Sequence, residues 1–151
     1  MTTGGKSEHF AQHLPDAIRK SLEELVFMEV NFSDTDIPLK RCDERICASL
    51  AVESPYQGDV ILLISFPLLR QVARMIYPGG SRIDDDLLKD IAGELLNIIA
   101  GNLMGVTTAE NETFRLGFPR QTDESAFWDV DQRVVFEMAD CAGGVAATMR
   151  A

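Results

Sequence analysis

Positive charge is what this 151-residue chain most conspicuously lacks: 14 lysines and arginines stand against 24 aspartates and glutamates, a formal net charge of −10. Without a basic surplus it releases few counterions from a phosphate backbone, which argues against nucleic-acid binding and, on the same ground, against anionic membrane surfaces. Long apolar runs are missing too. The longest, Val60–Phe66, is far short of the roughly 20 residues that span a bilayer. Residues 1–13 hold Lys6, Glu8 and both histidines but no apolar core of a secretion signal. The three cysteines, Cys42, Cys47 and Cys141, form no CxxC pair and no even set, so reduced thiols in a cytoplasmic protein are expected. With His9 and His13 confined to the N-terminal segment, no Ser-His-Asp set can be assembled, and the pair lacks a nearby third metal ligand. Gly5-Lys6-Ser7 has neither the upstream glycine nor the preceding strand of a phosphate-binding loop. No metal site is expected in the chain.

What is present reads as one globular domain. Apolar residues make up 46% and charged ones 25%, enough to bury a core at this length. Residues 1–14 are expected to be a flexible segment and 15–151 a single domain. Helical spacing of Ile18, Leu22, Leu25 and Val26 starts a helix near Pro15, followed directly by a strand through Met28, Val30 and Phe32. Ile46–Val52 and Val60–Ser65 alternate around the turn Ser54–Asp59 and predict a hairpin. A short helix Leu68–Tyr77 closes at Pro78-Gly79-Gly80. Asp84-Asp85-Asp86 caps a long helix running to about Met104. Strands are expected at Thr113–Phe118, Asp129–Met138 and Gly144–Met149, with Phe127-Trp128 as a core anchor at the start of the second. The fold class is α+β: an antiparallel sheet with two long helices packed on it, each half a helix feeding strands.

The long helix carries the chemistry. At about 100° per residue, Leu87, Ile91, Leu95, Ile98 and Asn102 share one stripe, flanked by Leu88 and Ile99. The opposite stripe holds Asp86, Asp90, Glu94 and Asn97. Gly93 and Gly101 stand one turn before and after Asn97, with Ala100 alongside. Each interior glycine costs roughly 0.5–1 kcal/mol of helix stability. Two readings account for them. Either they let the helix pack closely against its neighbours, or they clear space so that Asn97 enters a partner's pocket.

The stretch Leu88–Gly105 followed by Leu116-Gly117-Phe118-Pro119 resembles the CheC/CheX/FliY phosphatases of bacterial chemotaxis. The shared features are the acidic residue Asp90, the Glu-x-x-Asn pair Glu94 and Asn97, the small residues Gly93, Ala100 and Gly101, and Pro119. The resemblance implies that Glu94 and Asn97 are catalytic, and that Asp90, Gly93, Ala100 and Gly101 contact the partner. It implies a phosphorylated CheY-like receiver domain as substrate, Mg²⁺ on that receiver rather than on this chain, and a homodimer. The first helix, Ser21–Met28, has no asparagine three residues after Glu23 or Glu24, so one site per chain is expected, as in CheX-like members. Asparagine suits the reaction, because its carbonyl accepts from water while its NH₂ meets a phosphoryl oxygen. A carboxylate one turn away suits pairing with the receiver's lysine. The alternative is a non-catalytic module that binds a receiver or a flagellar-switch component through the same face.

Overall fold

In the computed structural model, which describes residues 2–27, 29–77, 79, 82–108, 110–138 and 140–149, one antiparallel sheet carries helices on both faces. The chain runs α1 (Thr2–Val26), β1 (Asn31–Ser33), α2 (Ile37–Lys40), β2 (Arg45–Ser54), β3 (Gly58–Ser65), α3 (Phe66–Ile76) and α4 (Asp85–Thr107). It continues with β4 (Arg115–Leu116), β5 (Arg120–Gln121), α5 (Ser125–Trp128), β6 (Arg133–Met138) and β7 (Cys141–Met149). The strand order is β1-β6-β7-β3-β2-β4, with β5 also pairing to β2. The α+β architecture expected from the sequence is the one observed.

Alternation along the central strands decides which helix covers which face. Leu62, Ile64, Leu50, Val52, Phe136 and Val145 point into the main core, where α1, α3 and α4 pack. Cys47, Ile61, Leu63, Val135 and Ala146 point the other way, into a smaller cluster closed by Leu39 of α2 and Phe127 of α5. Phe127 is therefore a core anchor as expected, but on a one-turn helix ahead of β6 rather than at a strand's start. Two ion pairs pin these short helices: Arg45 grips Glu124 at 2.6 Å and Arg133 grips Asp36 at 2.9 Å.

Several sequence expectations are corrected. The first helix begins at Thr2, not near Pro15, which lies inside it. A proline there loses one backbone hydrogen bond, but fully buried Leu14 and Ile18 and nearly buried Ala17 hold that part of the helix on the core. The passage from α1 to β1 is not direct. Phe27 adopts φ 56°, the left-handed conformation that ends helices. The expected strand start at Met28, and Pro78 and Gly80 of the expected helix stop, lie outside the described residues. Thr113–Phe118 forms only the two-residue β4, and the run to Met138 is a strand only from Arg133.

Candidate functional site

An N-terminal cap sets the start of α4. Asp84 caps it, its carboxylate accepting the Leu87 N–H at 2.9 Å, while Asp85 and Asp86 sit in the first turn where the helix dipole favours anions. Leu88, Ile91, Ala92, Leu95, Leu96, Ile99, Ala100, Leu103 and Met104 are buried. The apolar stripe is thus rotated from the one expected: Leu87 and Ile98 are only partly buried, and Leu96 and Ala92 join the core. Asn102 faces α1, where its amide donates to Ser21 Oγ at 2.8 Å and Ser21 in turn donates to the Ala17 carbonyl at 2.6 Å.

Asp90, Glu94 and Asn97 are exposed, with Gly93 and Gly101 half-buried one turn before and one turn after Asn97. No hydrogen bond or ion pair with another described residue engages any of the three side chains. They form one polar edge of a rigid helix with its donors and acceptors unspent. Ala100 is different. It is fully buried in the main core, so its expected part as a partner contact is corrected: its small side chain serves packing beneath the site.

The two glycines also differ. A Cβ at Gly101 would meet nothing within 4 Å, whereas one at Gly93 would lie 3.4 Å from Pro119 Cβ, an ordinary contact. Neither position is forced to be glycine by the protein's own packing. Helical side chains lean toward the N-terminus over the preceding turn. Asn97 therefore leans toward Gly93, and any side chain at 101 would lean over Asn97. That geometry favours clearance over close packing.

Pro119 belongs to the outer segment between β4 and β5. Leu116 lies opposite Val52 and Arg120 opposite Ser49, so four steps of the outer segment match three of β2. The extra residue bulges out between a Gly117 N–H bond to the Ala51 carbonyl at 2.7 Å and a Thr122 N–H bond to the Cys47 carbonyl at 3.0 Å. Proline, with no N–H to give the ladder, suits such an edge bulge. Between bulge and helix lies a groove of about 490 Å³ lined by Ala48, Lys89, Asp90, Gly93, Glu94, Pro119, Arg120 and Gln121. Asn97 stands one turn beyond this lining. Arg120 and Gln121 were missed because only long-range pairing with β2 brings them here. The one sequence signal for them was the Leu-Gly-Phe-Pro run just ahead.

Elsewhere the chemistry is thin. A second cavity of about 450 Å³ holds Cys42 and Cys141. Burial first, then the neighbouring Cys42 and Asp140, pushes the Cys141 thiol up, against a 3.3 Å bond from the Gln71 amide. That environment weakens a nucleophile. Among the described residues no three His, Cys, Asp or Glu side chains gather as a metal site. Among them, too, no helix is long and apolar enough to cross a membrane.

Structures of similar fold include the chemotaxis protein CheX from Vibrio vulnificus, at TM-score 0.70 and 9% identity over 93% of this chain and 96% of that one. The CheX–CheY–BeF₃–Mg²⁺ complex from Borrelia burgdorferi matches at TM-score 0.65 and 15% identity over 94% and 98% of the two chains. FliY from Thermotoga maritima matches at TM-score 0.60 and 12% identity over 94% and 89%. No curated protein matches by sequence. The sequence model described as "Chemotaxis phosphatase CheX" matches residues 46–138, which is more than half of the chain and includes α4, the bulge and the groove between them, so the chain belongs to the CheX family.

Proposed function

We propose that this protein hydrolyses the aspartyl-phosphate of a CheY-like receiver domain, with Asn97 orienting the attacking water and Glu94 anchoring the receiver. The observation that carries this reading is the exposed Glu94–Asn97 pair, whose side chains have no hydrogen-bond or ion-pair partner among the described residues and are flanked by positions without side-chain bulk. The similarity in fold to a protein solved as a CheX–CheY–BeF₃–Mg²⁺ complex supports the partner class.

An acyl phosphate is already activated, so the remaining task is alignment. Asn97 Oδ1 accepts a hydrogen bond from the water and Nδ2 donates to a phosphoryl oxygen. The water oxygen forms the new P–O bond as the bond to the aspartyl oxygen breaks. Inorganic phosphate leaves and a free carboxylate remains on the receiver. Glu94, one turn earlier and about 5–6 Å away at Cβ by helix geometry, pairs with the receiver's active-site lysine. Asp90 extends the acidic edge by another turn. The divalent cation belongs to the receiver, and no cofactor is assigned to this chain. A homodimer and a cytoplasmic site of action are part of the same reading; sedimentation tests the first.

The test is to load receiver domains with acetyl phosphate and follow phosphate loss with and without the protein. Asn97→Ala is expected to cut the catalysed rate by about 10² or more, as for a reacting group that loses alignment, while still binding the receiver. A wild-type protein that binds but never accelerates phosphate loss would make it a binding module.

A further inference from the structure

Phe118 is 93% exposed, more than any other large apolar side chain among the described residues. A single exposed apolar residue needs no explanation by itself. This one is held out by the backbone. The one-residue surplus opposite β2 leaves Phe118 and Pro119 no ladder position, and Pro119 takes the side against Gly93 of α4. Bulges of this kind re-aim side chains next to functional sites. On the other side of Pro119, Arg120 lines the groove beside Asp90 and Glu94 and makes no ion pair or hydrogen bond through its side chain with another described residue. Lys89 lines the same groove, so cations and the carboxylates of Asp90 and Glu94 share one surface.

We infer that the bulge is the second half of the receiver-docking surface, with Phe118 seated in an apolar depression of the phosphorylated receiver and Arg120 facing its acidic, phosphate-bearing edge. The inference rests on the receiver-phosphatase reading and deepens it. Charge complementarity fixes the occupant. Glu94 offers an anion for the receiver's lysine, and Arg120, a few residues across the groove, offers a planar cation for carboxylate or phosphoryl oxygens. A receiver that sets a lysine beside its carboxylates and phosphoryl group fits this pattern, and the fold shared with a protein solved in complex with CheY favours that occupant over a second copy of this chain. Apolar anchors with a polar surround carry most of the affinity of such contacts. Phe118 then acts in docking alone: it touches the partner, not the reacting atoms, and contributes affinity for the receiver.

The experiment uses full-length protein and the receiver that the wild type dephosphorylates, in its beryllofluoride-loaded form for binding and its acetyl-phosphate-loaded form for turnover. Phe118→Ala is expected to weaken binding and raise KM by about tenfold or more, with kcat at saturating receiver within about threefold and an unchanged melting temperature. Phe118→Leu should recover most of the affinity. Arg120→Glu should weaken binding further at low salt than at high salt. Wild-type affinity and KM in Phe118→Ala overturn the inference while leaving the phosphatase reading intact. A change in oligomeric state with unchanged receiver binding also overturns it, assigning Phe118 to a contact between copies. A wild type that neither binds nor dephosphorylates any receiver overturns the phosphatase reading first, and this inference with it.

Discussion

Replacing Gly101 separates the two explanations for glycine beside Asn97. A Cβ at position 101 meets nothing within 4 Å, so Gly101→Ala adds a methyl to open space inside α4. The gain in helix propensity is about 0.5–1 kcal/mol, with no packing cost set against it. For a domain of this size, 1 kcal/mol moves Tm by roughly 2–4 °C, so Gly101→Ala should melt about 1–4 °C higher. Gly101→Leu should be at least as stable as wild type. Its side chain, leaning over the preceding turn, covers Asn97. Receiver dephosphorylation should then fall by about tenfold or more, since small misplacements at the reacting centre are costly. Thermal melts run beside a phosphate-release assay read both effects. A fall in Tm for Gly101→Ala would mean the helix packs closely there and would return the glycine to a structural role. Full activity in Gly101→Leu would refute the clearance role of Gly101 beside Asn97.

Under the proposed function, Glu94 and Asn97 should split kinetically. Asn97→Ala should lower kcat, while Glu94→Lys should act chiefly through binding and kcat/KM, more severely than Glu94→Gln; unchanged affinity in Glu94→Lys would sink the anchoring role. Gly144→Ala should behave opposite to Gly101→Ala. Its Cβ would come 2.6 Å from Phe127 Cζ and 3.1 Å from Leu39 Cδ2, both fully buried, so overpacking should cost about 1–3 kcal/mol, checked by urea unfolding. Cys47 gives a pH signature. Burial first, then the Glu124 and Asp123 carboxylates, raises its thiol from 9.0 to about 11. The native state then holds a proton that the unfolded chain releases. Stability should be unaffected by this group below pH 9 and fall as pH rises from 9 to about 11. A Cys47→Ala variant with the same alkaline slope would exclude this source.

The parts of the fold legible in sequence were those with a local physical signature. The Asp84 cap, the α4 periodicity, the Ser54–Asp59 hairpin and the alternating strands Ile46–Val52 and Val60–Ser65 each announce themselves within about ten residues. The four-residue helices α2 and α5 do not, because one turn shows no period. Nor does β5, two residues long and defined only by its partner on β2. The second, smaller core followed from those omissions: without α2 and α5, nothing in the pattern said what covers Leu63 and Val135. At the site, Glu94 and Asn97 were legible from helix spacing plus resemblance, and the near-adjacent Ala100 misled. Three residues past Asn97, Ala100 lies about 60° round the helix from it, enough to carry it from the polar edge into the core.

The composition of the site also limits how it can work. Neither the groove nor the α4 edge offers a histidine, a thiol or a hydroxyl nucleophile, and its carboxylates are open to water. Rate enhancement under the proposed function must then come from placing one amide, and placement requires stiffness rather than reactivity. The architecture supplies it away from the chemistry. Asn97 stands mid-helix, between the Asp84 cap and a last turn whose Thr107 hydroxyl donates to the Leu103 carbonyl at 2.9 Å. Beneath it Leu96, Ile99 and Ala100 are fully buried, with Leu95 nearly so, and the Asn102–Ser21 bond ties α4 to α1. Pro119, braced on β2, rests against Gly93 from the other side. The helix that carries the amide is thus held from below, from behind and from the flank, while the amide itself stays open to solvent on the exposed edge.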